Sequence, residues 1–439
     1  MRSMTYAPAD VATVSPSARA AGRLRLPGDK SISHRYAMLA ALADGVSHVR
    51  GYLTGEDCLA TLECLRTLGV PIRHAGNGEV EIEGRGVNGL QAPRVPLDAA
   101  NSGTSMRLLA GVVAAHGFRT VLGGDESLSR RPMKRVIAPL TAMGARIASQ
   151  DGRPPLTIDG ARLHAITHQP EVPSAQVKSA ILLAGLQAEG ETTVIEPIAT
   201  RDHTERAMRA FGAHVDSDNG RIRIRGGQRL RARDLTVPGD VSSATFWIAL
   251  AAGTPGADIA IDGVGLNPTR TAMLEVARRS GARIDSEIDD ADSGEGGEPV
   301  GRLRIRYGTP RSFAITPADV PLVIDEIPAL AALGAMLPDG SEVSVHGAAE
   351  LRVKESDRIT CLARGFRAMG SEIEEFADGF RLTARPLTGA TVDAAGDHRL
   401  AMAFALAATR AASPTTILGA SSVSVSYPGF FEALERLTR

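Results

Sequence analysis

The sequence predicts a mixed α/β (α+β) protein of two lobes, each built from three βαβαββ units, and three observations lead there. One pattern returns six times along the 439 residues, a turn rich in Gly, Asp, Asn and Ser followed by a helix of small apolar residues. A second helix follows each copy at a nearly constant offset, and short β-branched or alternating runs bounded by Gly and Pro fill the intervals. With 43% hydrophobic residues the chain can bury a large core, and its length favours two or three domains over one.

The first helices read GDKSISHRYAMLAAL from Gly28, NSGTSMRLLAGVVAA from Asn101, SAQVKSAILLAGL from Ser174, GDVSSATFWIALAA from Gly239, DEIPALAALGAML from Asp325 and GDHRLAMAFALAA from Gly396. They are apolar nearly all round, which predicts core helices. Their partners start at Asp57, Arg131, Arg201, Asn267, Glu355 and Tyr427, and in the first of these Leu59, Leu62, Leu65 and Leu68 mark one buried face. EVEIEG, TTVIEP, RIRIRG, EVSVHG and TTILGA read as strands.

The copies start at 29, 101, 174, 240, 325 and 397, at intervals of about 72, 73, 66, 85 and 72, so the long interval carries an insertion. It is SEIDDADSGEGGEP, Ser286 to Pro299, whose acidic, Gly-rich composition reads as a solvated loop. The first and fourth copies, both opening PGD, resemble each other most. Two halves follow, with hinges near 22 to 28 and 234 to 240 and lobes of 1–27 plus 236–439 and of 28–235, able to open and close. The first 22 residues lack the pattern of a secretory signal and read as a loose arm.

The formal net charge of -1, with 23% charged residues, offers no basic excess for nucleic acid or an anionic membrane. No apolar run approaches the roughly 18 residues that span a bilayer. Cys58, Cys64 and Cys361 make neither a disulfide framework nor a metal-ligand cluster. The expectation is a cytoplasmic protein, monomeric by default, with no metal and no organic cofactor.

Charge is instead local. A helix start carries unpaired N–H groups and a partial positive charge, a seat for phosphate or carboxylate. At these starts the chain places Lys30 and Arg35, Arg107, Arg131 with Lys134 and Arg135, Lys178, Arg201, Lys354 with Arg358, and His398 with Arg399. Two cations about 4 Å apart repel by roughly 4 kcal/mol at an effective dielectric near 20, so converging cations call for a multiply charged anion. Lys134, Arg135 and Arg270 read equally well as solvated surface charges. Ser31, Ser102 and Ser174 can bind phosphate oxygens or simply cap their helices. No Gly-rich strand-turn-helix with GxxxxGK[ST] or GxGxxG occurs, so no nucleotide is indicated.

LPGDKSISHR from Leu26, NSGTSMR from Asn101, RRPM from Arg130, SAQVKSA from Ser174, RVKESDR from Arg352 and GDHRLAM from Gly396 together strongly resemble the EPSP synthase family, in its order and spacing. SAQVKSA, TRDHTE and ELRVKESDR look closest to the bacterial subclass that includes glyphosate-tolerant members. The resemblance implies the two-lobe enolpyruvyl-transferase fold with its active site in the interlobe cleft. It also implies the reaction, transfer of the 1-carboxyvinyl group of phosphoenolpyruvate to the 5-hydroxyl of shikimate 3-phosphate, with release of phosphate.

In family terms Lys30, Gly103, Arg131, Gln176, Arg358 and Arg399 would bind phosphoenolpyruvate. Shikimate 3-phosphate would meet Lys30, Ser31, Arg35, Ser174, Ala175, Gln176, Arg201, Asp325 and Lys354. Asp325 and Glu355 would be the catalytic carboxylates, with Lys30 and Lys354 stabilising charge or relaying protons. To act as an acid, Glu355 would have to hold its proton against neighbouring cations. Asp325 could instead be a helix cap and His398 a packed histidine; Glu326 reads as structural, and His34 and His203 carry no assignment.

Val425 stands where many relatives carry a Lys two residues before the aromatic-Pro pair, and Gly103 stands where tolerant relatives often carry Ala, so glyphosate is expected to inhibit. A UDP-N-acetylglucosamine enolpyruvyl transferase would show Asn after the first-turn Lys and a reactive loop Cys; here Ser31 follows Lys30. A silent metabolite-binding protein of this fold would have no use for Lys30, Asp325, Lys354 and Glu355 together.

Overall fold

The computed structural model describes residues 10–76, 78–289 and 297–439. Among them the chain separates into two compact units. One is Gly28–Pro238 with the stretch ending at Pro299; the other is the chain up to Pro27 with Gly239–Asp289 and Val300–Arg439.

The second repeat displays the common plan. Its sheet runs in the order Leu97–Asp98, Arg119–Gly123, Arg153–Asp159, Arg146–Gln150, the first pair parallel and the rest antiparallel. A parallel pair needs a crossover, and the helix Gly103–Val113 supplies it. The closing hairpin turns at Asp151 (φ 51°) and Gly152 (φ 75°), both left-handed as a tight two-residue turn requires. The third repeat does the same at Asn219 and Gly220, and each unit contains three sheets, of which the one built on Thr415–Leu418 has three strands and no closing hairpin.

In each unit, strands from outside a repeat complete its sheet. Ala21–Arg25, just ahead of the Lys30–Ala41 helix, pairs in parallel with Asp258–Gly265. Asp234–Thr236, just ahead of the Val241–Gly253 helix, pairs in parallel with Ala43–Arg50. Within 28–238 the ends are tied, because the Asp29 N–H donates to the Pro238 carbonyl at 2.8 Å. In the other unit the Asp240 N–H donates to the Pro27 carbonyl at 2.9 Å.

Gly28 is fixed by this closure. A Cβ there would lie 1.8 Å from the Gly51 carbonyl oxygen and 3.1 Å from Cγ1 of Val237. Backbone cannot yield as a flexible side chain does, so Gly28→Ala is expected to cost about 1–3 kcal/mol, as overpacking does. A thermal melt should show the midpoint several degrees lower; an unchanged midpoint would mean that the closure is slack.

Each unit has its own apolar core. In 28–238 the three first helices are buried along most of their length, Lys30–Ala41, Gly103–Val113 and Ala175–Gly185. In the other unit Val241–Gly253, Ile327–Ala335 and His398–Ala408 are buried around Trp247, Phe246, Phe366 and Phe404. Burying a helix on all faces needs small side chains for close approach, which is why these segments are rich in Ala and Gly.

Two expectations need correcting. The first 22 residues are not all a loose arm: Val11–Val14 pairs with Thr415–Leu418, and Ala21–Arg25 is the strand above; residues 1–9 lie outside the described set. Nor is the whole insertion solvated. Its first residues continue the strand Arg283–Ile288, and Glu298, 4% exposed, accepts from Nδ1 of His203 at 2.7 Å. Residues 290–296 lie outside the described set. Among the described residues no helix is long and apolar enough to cross a membrane, and no group of His, Cys, Asp and Glu could hold a metal ion.

Candidate active site

In the unit 28–238, three helix starts carry the sequence-predicted residues. Each is capped by a short polar side chain: Asp29 Oδ1 accepts from the Ile32 N–H, Ser102 Oγ from the Ser105 N–H and Ser174 Oγ from the Val177 N–H. Lys30 opens the first, and its ammonium donates to Oδ2 of the buried Asp57 at 3.0 Å. Behind it His34 shares its Nδ1 with the Thr61 hydroxyl at 2.7 Å. Burial, then the charges of Lys30 and Arg35, hold the His34 imidazole well below its usual pKa, so it is a neutral packing group.

The second start gathers cations. Arg107 Nη1 donates to Oε1 of Gln176 at 2.6 Å, whose Nε2 donates to the Thr104 hydroxyl at 2.9 Å. Arg131 Nη2 donates to Oδ1 of Asn101 at 2.8 Å. A Cβ built on Gly103 would lie 2.8 Å from Nη1 of Arg107 and 3.2 Å from Nη1 of Arg131, so two guanidinium groups flank one point where the chain has no side chain. The turn before it is unusual: Ala100 is left-handed (φ 48°), held by its N–H donating to Asp98 Oδ1 at 2.8 Å. The sixth repeat copies this at Ala395 (φ 53°), whose N–H donates to Asp393 Oδ1 at 2.7 Å.

At the third start Ser174, Ala175 and Gln176 are half-buried, as are Ser31 and Arg201. Arg35 is not. Its guanidinium is buried and donates to Thr204 Oγ1 at 2.6 Å, the Ser31 carbonyl at 2.8 Å and Ser179 Oγ at 2.8 Å. Burial lowers its pKa to about 10, partly offset by Glu205 and Asp29. Besides the ligand contact the resemblance implies, Arg35 therefore supports this corner of the fold. Lys178 departs further, being 1% exposed with both Glu196 and Glu205 at 2.7 Å.

In the other unit the groups converge around one guanidinium. Arg358 is 1% exposed; its Nε donates to Asp397 Oδ2 at 2.7 Å and its Nη2 to Glu355 Oε2 at 2.6 Å. Asp325 Oδ1 takes the Lys354 ammonium at 3.3 Å and lies 3.8 Å from Arg358 Nη1. Burial alone would lower the Arg358 pKa, but Asp397 and Glu355, then Asp325, raise it, so the charge is permanent. Nη1 finds no hydrogen-bond acceptor among the described residues. Arg399 Nη1 donates to the Asp325 carbonyl at 2.5 Å.

Some readings change here. Asp325 is not a cap: Glu326 holds the N-cap position without a side-chain cap bond, and Asp325 faces Lys354. Glu326 is structural, buried with Ser242 and with Arg270 at 3.0 Å, so Arg270 is not a solvated charge. Lys134 is solvated, 71% exposed beside Asp151. Arg358, which the resemblance sets against phosphoenolpyruvate, also bonds Asp397 and Glu355 and lies 3.8 Å from Asp325. Sequence reasoning passed over Asp57 and Asp397, the buried partners of Lys30 and Arg358, and counted Arg107 only as a cation. Asp397 was marked by GDH, since a small acid two residues before Arg399 is a cap that can also reach a neighbour.

Comparison with known proteins bears on the whole chain. The sequence model for EPSP synthase (3-phosphoshikimate 1-carboxyvinyltransferase) matches residues 14–434. A 3-phosphoshikimate 1-carboxyvinyltransferase of Acidithiobacillus ferrooxidans is 51% identical over 417 residues, 95% of each chain. That of Alkalilimnicola ehrlichii is 50% identical over 422 residues, 95% of this chain and 94% of the other. An EPSP synthase structure from Acinetobacter baumannii superposes with a TM-score of 0.85 at 44% identity, covering 97% of this chain and 98% of that one.

Proposed function

The chain belongs to the EPSP synthase family, and we propose on that premise that it is a 3-phosphoshikimate 1-carboxyvinyltransferase whose chemistry rests on the two groups of residues just described. The observation that carries the reading is the pair of guanidinium groups facing the bare Gly103, a seat for a small dianion. Phosphoenolpyruvate is assigned to Lys30, Gly103, Arg131 and Gln176 with Arg107, and to Arg399; Arg358 serves it through Nη1 and by holding Glu355. Shikimate 3-phosphate is assigned to Lys30, Ser31, Arg35, Ser174, Ala175, Gln176, Arg201, Asp325 and Lys354.

The bonds balance as follows. The 5-hydroxyl oxygen bonds to C2 of phosphoenolpyruvate as its proton leaves and C3 gains a proton, giving a tetrahedral ketal. The ketal then loses a C3 proton and the C–O bond to phosphate. Asp325, paired with the Lys354 ammonium, takes the hydroxyl proton, and Glu355 serves C3. Acid-base help of this kind supplies about 100- to 10,000-fold. The cationic clamp supplies the rest by orienting both anions and stabilising the departing phosphate.

The test is phosphate release from phosphoenolpyruvate with shikimate 3-phosphate, beside a UDP-N-acetylglucosamine control and Lys30→Ala. Release with shikimate 3-phosphate alone, lost in the variant, is the expected result; release with the UDP-sugar would move the enzyme to the sister reaction. The enzyme is assigned to the cytoplasm as a monomer, in the bacterial subclass that includes glyphosate-tolerant members.

Glyphosate is nevertheless assigned as an inhibitor here, because Gly103 leaves open the space a methyl group would fill. Gly103→Ala should fold, since the nearest atom is the mobile end of Arg107 at 2.8 Å. It is expected to weaken inhibition at least about 100-fold and raise the KM for phosphoenolpyruvate about tenfold, each tenfold being about 1.4 kcal/mol. Equal inhibition of both forms would remove Gly103 from the inhibitor's site.

A further inference from the structure

Among the described residues Lys178 is the one helix-start lysine whose ammonium is sealed inside the protein, and its surroundings point to a task. It lies four residues after Ser174 on the helix Ala175–Gly185, with its side chain 1% exposed. Its Nζ stands 2.7 Å from Glu196 Oε2 and 2.7 Å from Glu205 Oε1, carboxylates that are 6% and 2% exposed. Burial alone would lower its pKa; Glu205 and Glu196 together raise it, so the ammonium stays charged.

Those carboxylates bracket a short stretch of chain. Glu196 follows the strand Glu191–Ile195, and its Oε1 accepts from the Thr200 hydroxyl at 2.5 Å. Glu205 belongs to the helix His203–Ala210. Its neighbour Thr204 meets Ser179 Oγ at 2.6 Å, one residue beyond Lys178, and receives Nε of Arg35 at 2.6 Å. Between the two anchored carboxylates lies Arg201.

We infer that Lys178 is a positioning residue for the shikimate 3-phosphate half of the site: by bridging Glu196 and Glu205 it fixes the turn that carries Arg201 and, through Ser179 and Thr204, the guanidinium of Arg35. This rests on the assignment of Arg201 to shikimate 3-phosphate made above. Without the ammonium, two buried carboxylates face each other uncompensated, and they separate or take up a proton. The turn between them is then no longer held, and misplacement of a binding group by about 1 Å is enough to cost tenfold or more.

The experiment compares full-length Lys178→Met, Lys178→Arg, the charge-free triple variant Lys178→Met/Glu196→Gln/Glu205→Gln, and Arg201→Met. Steady-state kinetics in both substrates and a thermal melt are read for each. Lys178→Met is expected to raise the KM for shikimate 3-phosphate about tenfold, with kcat and the KM for phosphoenolpyruvate within about threefold. Lys178→Arg, able to hold both carboxylates, should restore it. If Lys178→Met does not fold, the triple variant, which removes all three charges of the Lys178 cluster, should show the same selective rise. A folded Lys178→Met or triple variant with the parent KM for shikimate 3-phosphate overturns the inference, as do equal losses in both substrates. If Arg201→Met also leaves that KM unchanged, the underlying assignment falls with it; if Arg201→Met raises the KM while the Lys178 variants do not, only the role of Lys178 falls.

Discussion

Glu355→Gln is expected to lower kcat by about 100- to 10,000-fold while both KM values and the thermal midpoint stay close to the parent. Glutamine keeps the shape and an oxygen acceptor for Arg358 Nη2, which now stands 2.6 Å from the carboxylate. In the proposed mechanism, what it removes is the ability to carry a proton to and from C3. Incorporation of solvent deuterium into C3 of phosphoenolpyruvate isolates that step and should fall in parallel. A kcat within tenfold of the parent would take Glu355 out of proton transfer and leave it as a partner of Arg358.

Asp397→Ala is expected to do damage of a different kind, to stability and activity together. Asp397 is 0% exposed and accepts from Arg358 Nε at 2.7 Å, Ser356 Oγ at 3.1 Å and the Arg399 N–H at 3.0 Å. Removing it leaves the buried guanidinium with, among the described residues, only Glu355 at 2.6 Å and Asp325 at 3.8 Å, both less buried than Asp397, and breaking one side of a buried ion pair costs about 3–5 kcal/mol. It also removes a helix cap, about 1 kcal/mol more. Because Arg358 holds Glu355 and faces Asp325, kcat/KM should drop by about 100-fold or more even where the variant is folded, since reacting groups tolerate little displacement. Asp397→Asn, which keeps the cap but not the charge, should fall between. Parent activity in folded Asp397→Ala would show that Arg358 needs no anchor.

Most of the architecture was legible because each repeat announces itself locally. A small polar cap such as Asp29 or Ser102, an apolar run, and an Asp-Gly or Asn-Gly hairpin turn are signals within about 20 residues. The strands near the N-terminus were not, because Val11–Val14 and Ala21–Arg25 are short, flanked by Pro16 and Pro27, and find partners hundreds of residues away. The site divides the same way. Helix-start cations are visible in a sequence, as is the cap Asp397; Asp57, Glu196 and Glu205, which receive other cations, are not, because tertiary packing brings them in. Lys178 shows where a better rule lay. A lysine one turn into a helix that is otherwise apolar faces the core, and a buried ammonium implies buried anions.

The exchanged strands set a timetable for synthesis on the ribosome. The segment 28–238 emerges as one continuous stretch and can complete nearly all of its own pairing at once. Ala21–Arg25, made before it, must wait for Asp258–Asp262, and Val11–Val14 for Thr415–Leu418. At about 5–20 residues per second the first wait lasts on the order of 10–50 s. Throughout it the nascent chain carries an unpaired strand ahead of a finished body. The charged, mostly solvent-facing side chains of AGRLR, with Arg23 and Arg25 beside a lone buried Leu24, suit a strand that must stay soluble until its partner is made.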